Sequence, residues 1–218
     1  MIWLQLTRSN NAPDNIACFY LQAVNSLEGC SVELITDLGT ENSLVAAIHA
    51  YFRGDPDAHR YVSSPRNQRI ESWWSQFSKH RSCWWRNFFK DLEASRKIDT
   101  SSLVSMEALW YSFSNVLQKE LDLVREHWNT HRIRKSHYQT VCGRPDSLNF
   151  LPEAHGSLDY KQNVKPEVVD DVSENVIVKD YSNEHTEYFD YVLTQLDIQK
   201  PDDWREALSL YERLMSVC

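Results

Sequence analysis

The sequence predicts an α/β layered domain followed by a C-terminal helical tail, and two features of the residue pattern support that prediction. Short runs in which apolar and polar residues alternate are typical of strands, and they are interleaved with apolar residues spaced by three and four, which are typical of helices. Strand, helix, strand and helix in that order favour a sheet covered by helices. The 218 residues, 42% of them hydrophobic, suffice for one good core and an appendage.

Two strands and one helix are predicted in the first 37 residues. Residues 2–6 alternate as a short strand would. Pro13 and Asp14 suit the first turn of a helix that reaches about Leu27, because proline fixes a helical φ there and an acid complements the helix dipole. Residues 31–37 alternate again and contain β-branched side chains, so Asp37 is expected at the C-terminal end of a strand.

The next segment is predicted to contain a tight turn, a helix and a third strand. Gly39 permits the turn, and Asn42 is positioned to cap the following helix. That helix is predicted over residues 43–52 and is broken at Gly54. Residues 59–62 are predicted as a further strand, after which the chain enters a long helical pattern.

Two long helices are predicted between this strand and residue 133. Glu71 lies near the start of the first helix, on the flank of its apolar stripe, where it can face a cleft. The second helix runs from residue 102 to about 133 and is expected to pack against the first and to cover one face of the sheet. The apolar stripe of the first helix consists of Ile70, Trp74, Phe77, Trp84, Trp85, Phe88 and Phe89.

The C-terminal part of the chain is acidic and is expected to be separate from the core. We therefore predict a core at residues 1–152, an acidic, partly disordered linker at 153–180 and a short helical hairpin at 181–218. The core carries 17 Lys and Arg against 16 Asp and Glu, whereas residues 153–218 carry 6 against 15. Local basic patches on a near-neutral core are compatible with a phosphate backbone, and the acidic tail is a candidate for binding a protein partner.

Composition argues against several classes of protein. No apolar run approaches transmembrane length, and the first residues lack the basic region of a signal peptide. We therefore expect an intracellular protein, nuclear or cytoplasmic, with no membrane partner. The five cysteines include no C-x-x-C pair and no histidine at zinc-ligand spacing, so neither a zinc site nor a disulfide framework is indicated.

Asp37 and Glu71 are the candidate metal ligands. A carboxylate at a strand end and a second on a nearby helix suit Mg²⁺ or Mn²⁺, which is held by a few carboxylate oxygens together with water and phosphate. Each residue also has an ordinary structural explanation, since Asp before Gly commonly forms a turn and Glu in a first helical turn complements the dipole. The residues alone leave both interpretations open.

Longer motifs around the two acids resemble a known family. Asp37-x-Gly-Thr-Glu-Asn and Asn67-x-Arg-Ile-Glu71, with the two acids 34 positions apart, are similar to the second and third acidic positions of the integrase core, a member of the ribonuclease-H-like polynucleotidyl transferases. The sequence closely resembles the animal integrase-core proteins derived from mobile elements, and the resemblance covers roughly residues 1–153. Further shared segments are Trp84-Trp85-x-x-Phe88-Phe89-Lys-Asp-Leu, Trp128-Asn-Thr-His-Arg-Ile-Arg and Gly143-Arg-Pro-Asp.

The resemblance implies a ribonuclease-H-like integrase core in which three carboxylates bind two Mg²⁺ or Mn²⁺ ions for attack on a DNA phosphodiester. Asp37 and Glu71 would take the catalytic and metal-binding roles of the second and third. The first would precede Met1 on the central strand, and neither Glu33 nor Glu41 is a convincing substitute. We therefore expect an incomplete N-terminal part of the sheet and a catalytically impaired chain.

Three functional classes remain open: a polynucleotidyl transferase, a domesticated DNA- or protein-binding module without catalysis, and a truncated product of a transposable element. DNA is the implied partner, and a homo-oligomer is compatible with the family. Arg132, Arg134 and Lys135 are candidate phosphate contacts, although cations at a helix C-terminus also suit the dipole. We expect sequence-tolerant, salt-dependent DNA binding, an approach of Asp37 and Glu71 across a cleft, and no joining or cutting of DNA by residues 1–218.

Overall fold

Helices dominate the computed structural model of the chain, which describes residues 1–9, 11–62, 68–135, 141–176 and 184–217. The chain divides into two units. The first comprises Met1–Ser63 and Glu120–Lys179, and the second comprises Ser64–Lys119 and Asp180–Cys218. Each unit is therefore built from two separate stretches of sequence, and no unit boundary falls at residue 152.

The two helices predicted at the start of the first unit are confirmed. Helix α1 is Pro13–Leu27, with its proline and Asp14 in the first turn, and it ends where Glu28 adopts a left-handed conformation (φ 52°). Helix α2 is Ser43–Arg53 and ends at Gly54, whose φ of 61° is a conformation that glycine adopts at little cost.

Among the described residues, four short strands form two separate two-stranded sheets. Strand β1 (Gly29–Cys30) pairs antiparallel with β4 (Gln162–Asn163), and β2 (Leu34–Thr36) pairs parallel with β3 (His59–Tyr61). Helix α2 connects β2 to β3, as a parallel pair requires a crossover. The strands predicted within residues 31–37 and 59–62 are thus confirmed, although each is shorter than expected.

The strand predicted at residues 2–6 is wrong, because no described sheet contains it. The backbone carbonyl of Met1 accepts a hydrogen bond from the side chain of Asn129, Nδ2 to O 2.8 Å, in place of one from a neighbouring strand. Leu4 is nevertheless buried. The alternating apolar residues therefore pack an irregular segment onto the unit.

Part of the predicted linker also folds onto the first unit. Strand β4 is followed by helix α7, Pro166–Glu174, which packs against α1. Val164 and Val169 are buried in the same apolar cluster as residues of α1 and α2. Residues 162–174 of the predicted linker therefore form regular structure, in which a valine face packs on the unit. Residues 177–180 of the predicted linker lie outside the described residues.

A polar pair is buried in the apolar core of the first unit. His49 is fully buried, and its Nδ1 lies 2.7 Å from the hydroxyl oxygen of Tyr20. Burial, followed by the nearby Arg53 and His59, lowers the pKa of His49. Burial likewise raises the pKa of Tyr20 well above its ordinary value. Both groups are therefore held in their neutral forms.

The long helix predicted to contain Glu71 consists of two α-helices joined by a π-turn. Helix α3 is Gln68–Phe77, the π-turn is Ser78–Ser82, and helix α4 is Cys83–Ala94. A π-turn uses i to i+5 hydrogen bonds and so inserts about one extra residue into the helical repeat. The side chains after the turn are therefore shifted by one position relative to an uninterrupted α-helix.

This shift decides which tryptophan faces the core. In an uninterrupted helix Trp84, seven residues after Phe77, would lie on the same face as Phe77. The structure instead packs Trp85 against the core cluster, where its ring centroid lies 6.2 Å from that of Phe113. Trp84 is left 48% exposed.

In the described part of the chain, two further helices complete the second unit, one short helix belongs to the first, and a long helix is divided between the units at Lys119 and Glu120. Helix α5 is Leu103–Thr130, and the short helix α6, Pro145–Phe150, comes after it. Helices α8 and α9 are Glu184–Leu196 and Trp204–Val217, so the predicted helices at 102–133 and in the C-terminal hairpin are confirmed. The hairpin packs on α4 and α5 through a cluster whose buried members are Leu92, Ile98, Ala108, Phe113, Val116, Phe189, Val192, Leu193, Ala207, Leu210, Tyr211 and Leu214.

The architecture is mixed α/β, mostly helical with small sheets and a helical C-terminal part, which confirms the predicted fold class. The predicted packing of the second long helix against the first is confirmed through α4 and α5. Within the described ranges, no helix combines the length and the apolar character that a bilayer crossing requires.

Candidate functional site

Asp37 directly follows strand β2, and its carboxylate is exposed. The side-chain amide of Asn42 donates a hydrogen bond to it, Nδ2 to Oδ1 2.6 Å. The prediction that Asn42 caps helix α2 is wrong, since no side-chain capping bond forms at that position. The amide fixes the Asp37 carboxylate instead, and Oδ2 has no hydrogen bond within the described part of the chain.

Glu41 lies beside Asp37 in a 3-10 turn, Thr40–Asn42. Its carboxylate folds back over Gly39, where an added Cβ would clash with it. Asn42 Nδ2 is 3.5 Å from Glu41 Oε1, so one amide group contacts both carboxylates. The 3-10 turn thus brings Glu41 beside Asp37, although the sequence does not identify Glu41 as a substitute for the first acid.

The end of strand β2 is tied to β3 by a side-chain contact. Thr36 Oγ1 lies 3.0 Å from His59 Nε2, and it also donates to the backbone carbonyl of Asp37 at 3.1 Å. The His59 ring packs edge-on against Tyr61, with ring centroids 4.4 Å apart, and burial lowers the pKa of His59. His59 therefore helps to position Thr36, the residue before Asp37.

Glu71 lies in the first turn of helix α3 and is exposed. It belongs to the second unit, whereas Asp37 belongs to the first. The approach of the two carboxylates across a cleft therefore stays a prediction. Asn67, which opens the Glu71 motif, lies outside the described residues.

The donor chemistry at these positions fits a hard divalent cation. Carboxylate oxygens are the ligands that Mg²⁺ and Mn²⁺ prefer, and Asp37 and Glu71 both present them to solvent. Among the residues that the structure describes, no group of three or more His, Cys, Asp or Glu side chains is placed to hold a metal. Any ion bound by these carboxylates would depend on water, phosphate or further ligands.

The three candidate phosphate contacts follow helix α5 and are all exposed: Arg132, Arg134 and Lys135. Between the two arginines, Ile133 exchanges backbone hydrogen bonds with Gly143, at 2.8 and 3.2 Å. In the extended backbone of such a bridge, neighbouring side chains point to opposite sides, so the arginines face away from the half-buried Ile133. None of the three cations forms an ion pair inside the described ranges.

Comparison with known proteins gives one match. A family model described as "Integrase core domain" matches residues 1–144, a range that contains Asp37, Glu71 and the cations after α5. No curated protein and no solved structure matches the chain significantly. Helices α6 to α9 all lie beyond the matched range.

Proposed function

Because this chain belongs to the integrase core domain family over residues 1–144, we propose that it binds DNA and a divalent metal ion, and that residues 1–218 by themselves do not catalyse strand transfer. The single observation that carries the proposal is the family match, which includes both predicted carboxylates and the cations after α5. In this proposal the chain is an integrase-core module that acts through binding, with an ancestry in mobile elements.

Asp37 and Glu71 are the proposed metal ligands. A divalent ion, when bound, neutralises charge on phosphodiester oxygens and lowers the pKa of a water or hydroxyl that attacks them. Asn42 orients the Asp37 carboxylate through its 2.6 Å hydrogen bond, and such outer contacts commonly fix the direction of a ligand oxygen. Among the described residues, Glu41 is a further acid near Asp37, with Oε1 3.5 Å from the same amide.

The proposed lack of catalysis follows from the number of ligands. In-line displacement by two metal ions requires carboxylates that hold both ions a few ångströms apart. No group of three metal-binding side chains exists among the described residues. Two carboxylates account for one weakly held ion, which favours a DNA-binding module without catalysis over a working transferase.

The proposed contact with DNA runs through Arg132, Arg134 and Lys135. Their exposure and their freedom from ion pairs in the described ranges leave three positive charges available to phosphates. Contacts of this kind release counterions and carry no sequence information, so binding should be sequence-tolerant and should weaken steeply as salt rises.

Metal binding is tested by titrating Mn²⁺ into the full chain and measuring free Mn²⁺ by electron paramagnetic resonance. Asp37→Asn and Glu71→Gln should each weaken binding at least about tenfold, because each removes a charged ligand. Asp57→Asn is the matched control, since Asp57 is an exposed acid of the first unit outside the proposed site. Equal affinity of Asp37→Asn and the parent chain would remove Asp37 from the site.

Catalysis is tested with end-labelled duplex oligonucleotides in Mg²⁺ and in Mn²⁺. We expect neither nicked nor joined products above a protein-free background. Metal-dependent products that disappear in Asp37→Asn would contradict the proposal and would show that the site is complete. In that case Glu41→Gln becomes the decisive variant, because Glu41 shares the Asn42 amide with Asp37.

A further inference from the structure

Helices α3 and α4 contain a long stretch of the second unit without any acid. Residues 72–90 include Lys79, Arg81, Arg86 and Lys90 and no Asp or Glu. All four cationic side chains are exposed. The stretch therefore carries a local excess of four positive charges on a chain whose net charge is −8.

Three of these cations line one side of the helix. Lys79, Cys83, Arg86 and Lys90 are spaced by four, three and four residues, which places them above one another on a helical surface. Arg86 Nη2 donates to Ser78 Oγ at 2.9 Å across the π-turn, which confirms that this side remains continuous through the turn. We call Lys79, Arg86 and Lys90 the cationic stripe.

The cationic stripe is free of ion pairs in the part of the chain that the structure describes. Other lysines of the same unit are engaged: Lys97 pairs with Glu212 at 3.3 Å, and Lys200 with Asp190 at 3.6 Å. Acids of this unit therefore pair with other lysines and not with the cationic stripe. Unpaired cations in a row repel one another, and a polyanion relieves that repulsion.

The same two helices carry two exposed indole rings. Trp74 is 47% exposed and Trp84 is 48% exposed, although both helices also bury apolar side chains. The exposure of Trp84 results from the one-residue shift of the π-turn. Its ring stacks on Phe88 with centroids 5.2 Å apart, so the indole is held rigidly in place with part of its surface open. Rigid exposed aromatics beside cations are the usual means of stacking unpaired bases.

We propose that the cationic stripe, with Trp74 and Trp84, binds single-stranded DNA. The phosphates follow Lys79, Arg86 and Lys90, which span about 16 Å at 1.5 Å per residue, and bases stack on the indoles. A duplex would offer the same phosphates but would keep its base faces hidden, so the exposed indoles favour an unpaired strand. The surface is distinct from the segment that contains Arg132.

This proposal rests on the proposed DNA-binding function and extends it to a second surface. Glu71 lies on α3 eight residues before Lys79, about two helical turns away along the helix axis. A strand that follows the stripe would therefore run toward the proposed metal ligand. The stripe would position an unpaired DNA end without reading its sequence.

The test is fluorescence anisotropy of a labelled 15-nucleotide oligo-dT with the full chain between 50 and 200 mM salt. The triple variant Lys79→Gln, Arg86→Gln and Lys90→Gln should bind at least tenfold more weakly at 50 mM salt. The slope of log K against log salt should become shallower by about 2, since each single-strand phosphate contact contributes about 0.7. Trp84→Leu should weaken oligo-dT binding about five- to a hundredfold and duplex binding little.

The matched control is the triple variant Lys97→Gln, Lys119→Gln and Lys200→Gln, which removes the same charge from ion-paired lysines of the same unit. Its affinity should stay within about threefold of the parent chain. Arg86→Lys keeps the charge and should retain most of the affinity of the parent chain. This variant separates the effect of charge from any local unfolding. Circular dichroism of each variant confirms that the helices remain.

The outcomes separate this inference from the proposed function. If the parent chain binds DNA and the stripe variant matches its control, the stripe is not the interface, and the segment around Arg132 remains the proposed contact. If the parent chain binds no DNA at 50 mM salt, both proposals fail. Equal binding of oligo-dT and duplex, with no effect of Trp84→Leu, would overturn the preference for single strands. Tighter binding of the matching oligo-U would identify RNA as the ligand and would overturn the assignment to DNA.

Discussion

Replacing Phe189 with alanine should destabilise the second unit strongly. Phe189 on α8 is 1% exposed, and its ring centroid lies 5.2 Å from that of Tyr111 on α5. Removing a buried phenyl group costs about 3–5 kcal/mol, because transfer free energy is lost and a cavity remains. The total free energy of unfolding of a domain is about 5–15 kcal/mol. The thermal midpoint should therefore fall by at least about 12 °C.

Tryptophan fluorescence during urea unfolding measures this effect, since six of the eight tryptophans belong to the second unit. Tyr191→Ala is the matched control: Tyr191 is an aromatic residue of the same helix but is 61% exposed. The control should lose less than about 1 kcal/mol. Equal urea midpoints for the two variants would refute the conclusion that α8 belongs to the core.

Three further predictions follow from individual contacts. Because the folded-state pKa of His49 lies below its unfolded value, the unfolded chain binds the proton first as pH falls below about 6.5, and stability should decline there by at most about 1.4 kcal/mol per pH unit; a flat urea midpoint between pH 7 and 5 would contradict this. Tyr211→Phe removes a buried hydroxyl that lies 2.8 Å from Ser105 Oγ, and should cost about 1 kcal/mol in thermal unfolding. Asn42→Ala should weaken Mn²⁺ binding roughly tenfold through Asp37 while leaving the thermal midpoint nearly unchanged, and an unaltered affinity would show that the amide plays no part.

Local sequence signals were sufficient where the structure depends on neighbours along the chain. Helix α1 begins at Pro13 and ends at Leu27, as predicted, because proline, an early acid and a regular apolar face all act within a few turns. The same holds for α5, whose apolar repeat is long. The bounds of these two helices could be predicted without knowing what the helices pack against.

Signals failed where the outcome depends on a distant partner. Residues 2–6 alternate like a strand, but alternation cannot supply the second strand that a sheet needs, and the structure provides none among the described residues. In the predicted linker a helical signal was present and was not used. The valines at 168, 169, 172 and 176 recur at helical spacing, and that signal was present but was outweighed by the surrounding acids.

The candidate site shows the same division. The sequence locates Asp37 and Glu71 by motif, and it correctly places Asp37 at the end of a strand and Glu71 near the start of a helix. The sequence could not reveal that Asn42 binds Asp37 and leaves helix α2 uncapped. The short Asn42 side chain can reach either the Asp37 carboxylate or the helix backbone, and the sequence does not decide between them. Nor could it reveal the π-turn, since hydrophobic periodicity does not distinguish a four-residue from a five-residue repeat over a single turn.

The interleaved order of the two units has a consequence for how the protein is made. The helices that enclose the core of the second unit are divided between residues before Lys119 and residues near Leu214, so the ribosome must add 95 residues between the two parts. At about 5–20 residues per second this takes about 5 to 20 s. Until α8 and α9 have been added, the nascent chain carries Trp85, Phe88 and Phe113 without the helices that cover them. The second unit can complete its core only after Leu214 has been added, and until then its aromatic face is available to chaperones and to other nascent chains.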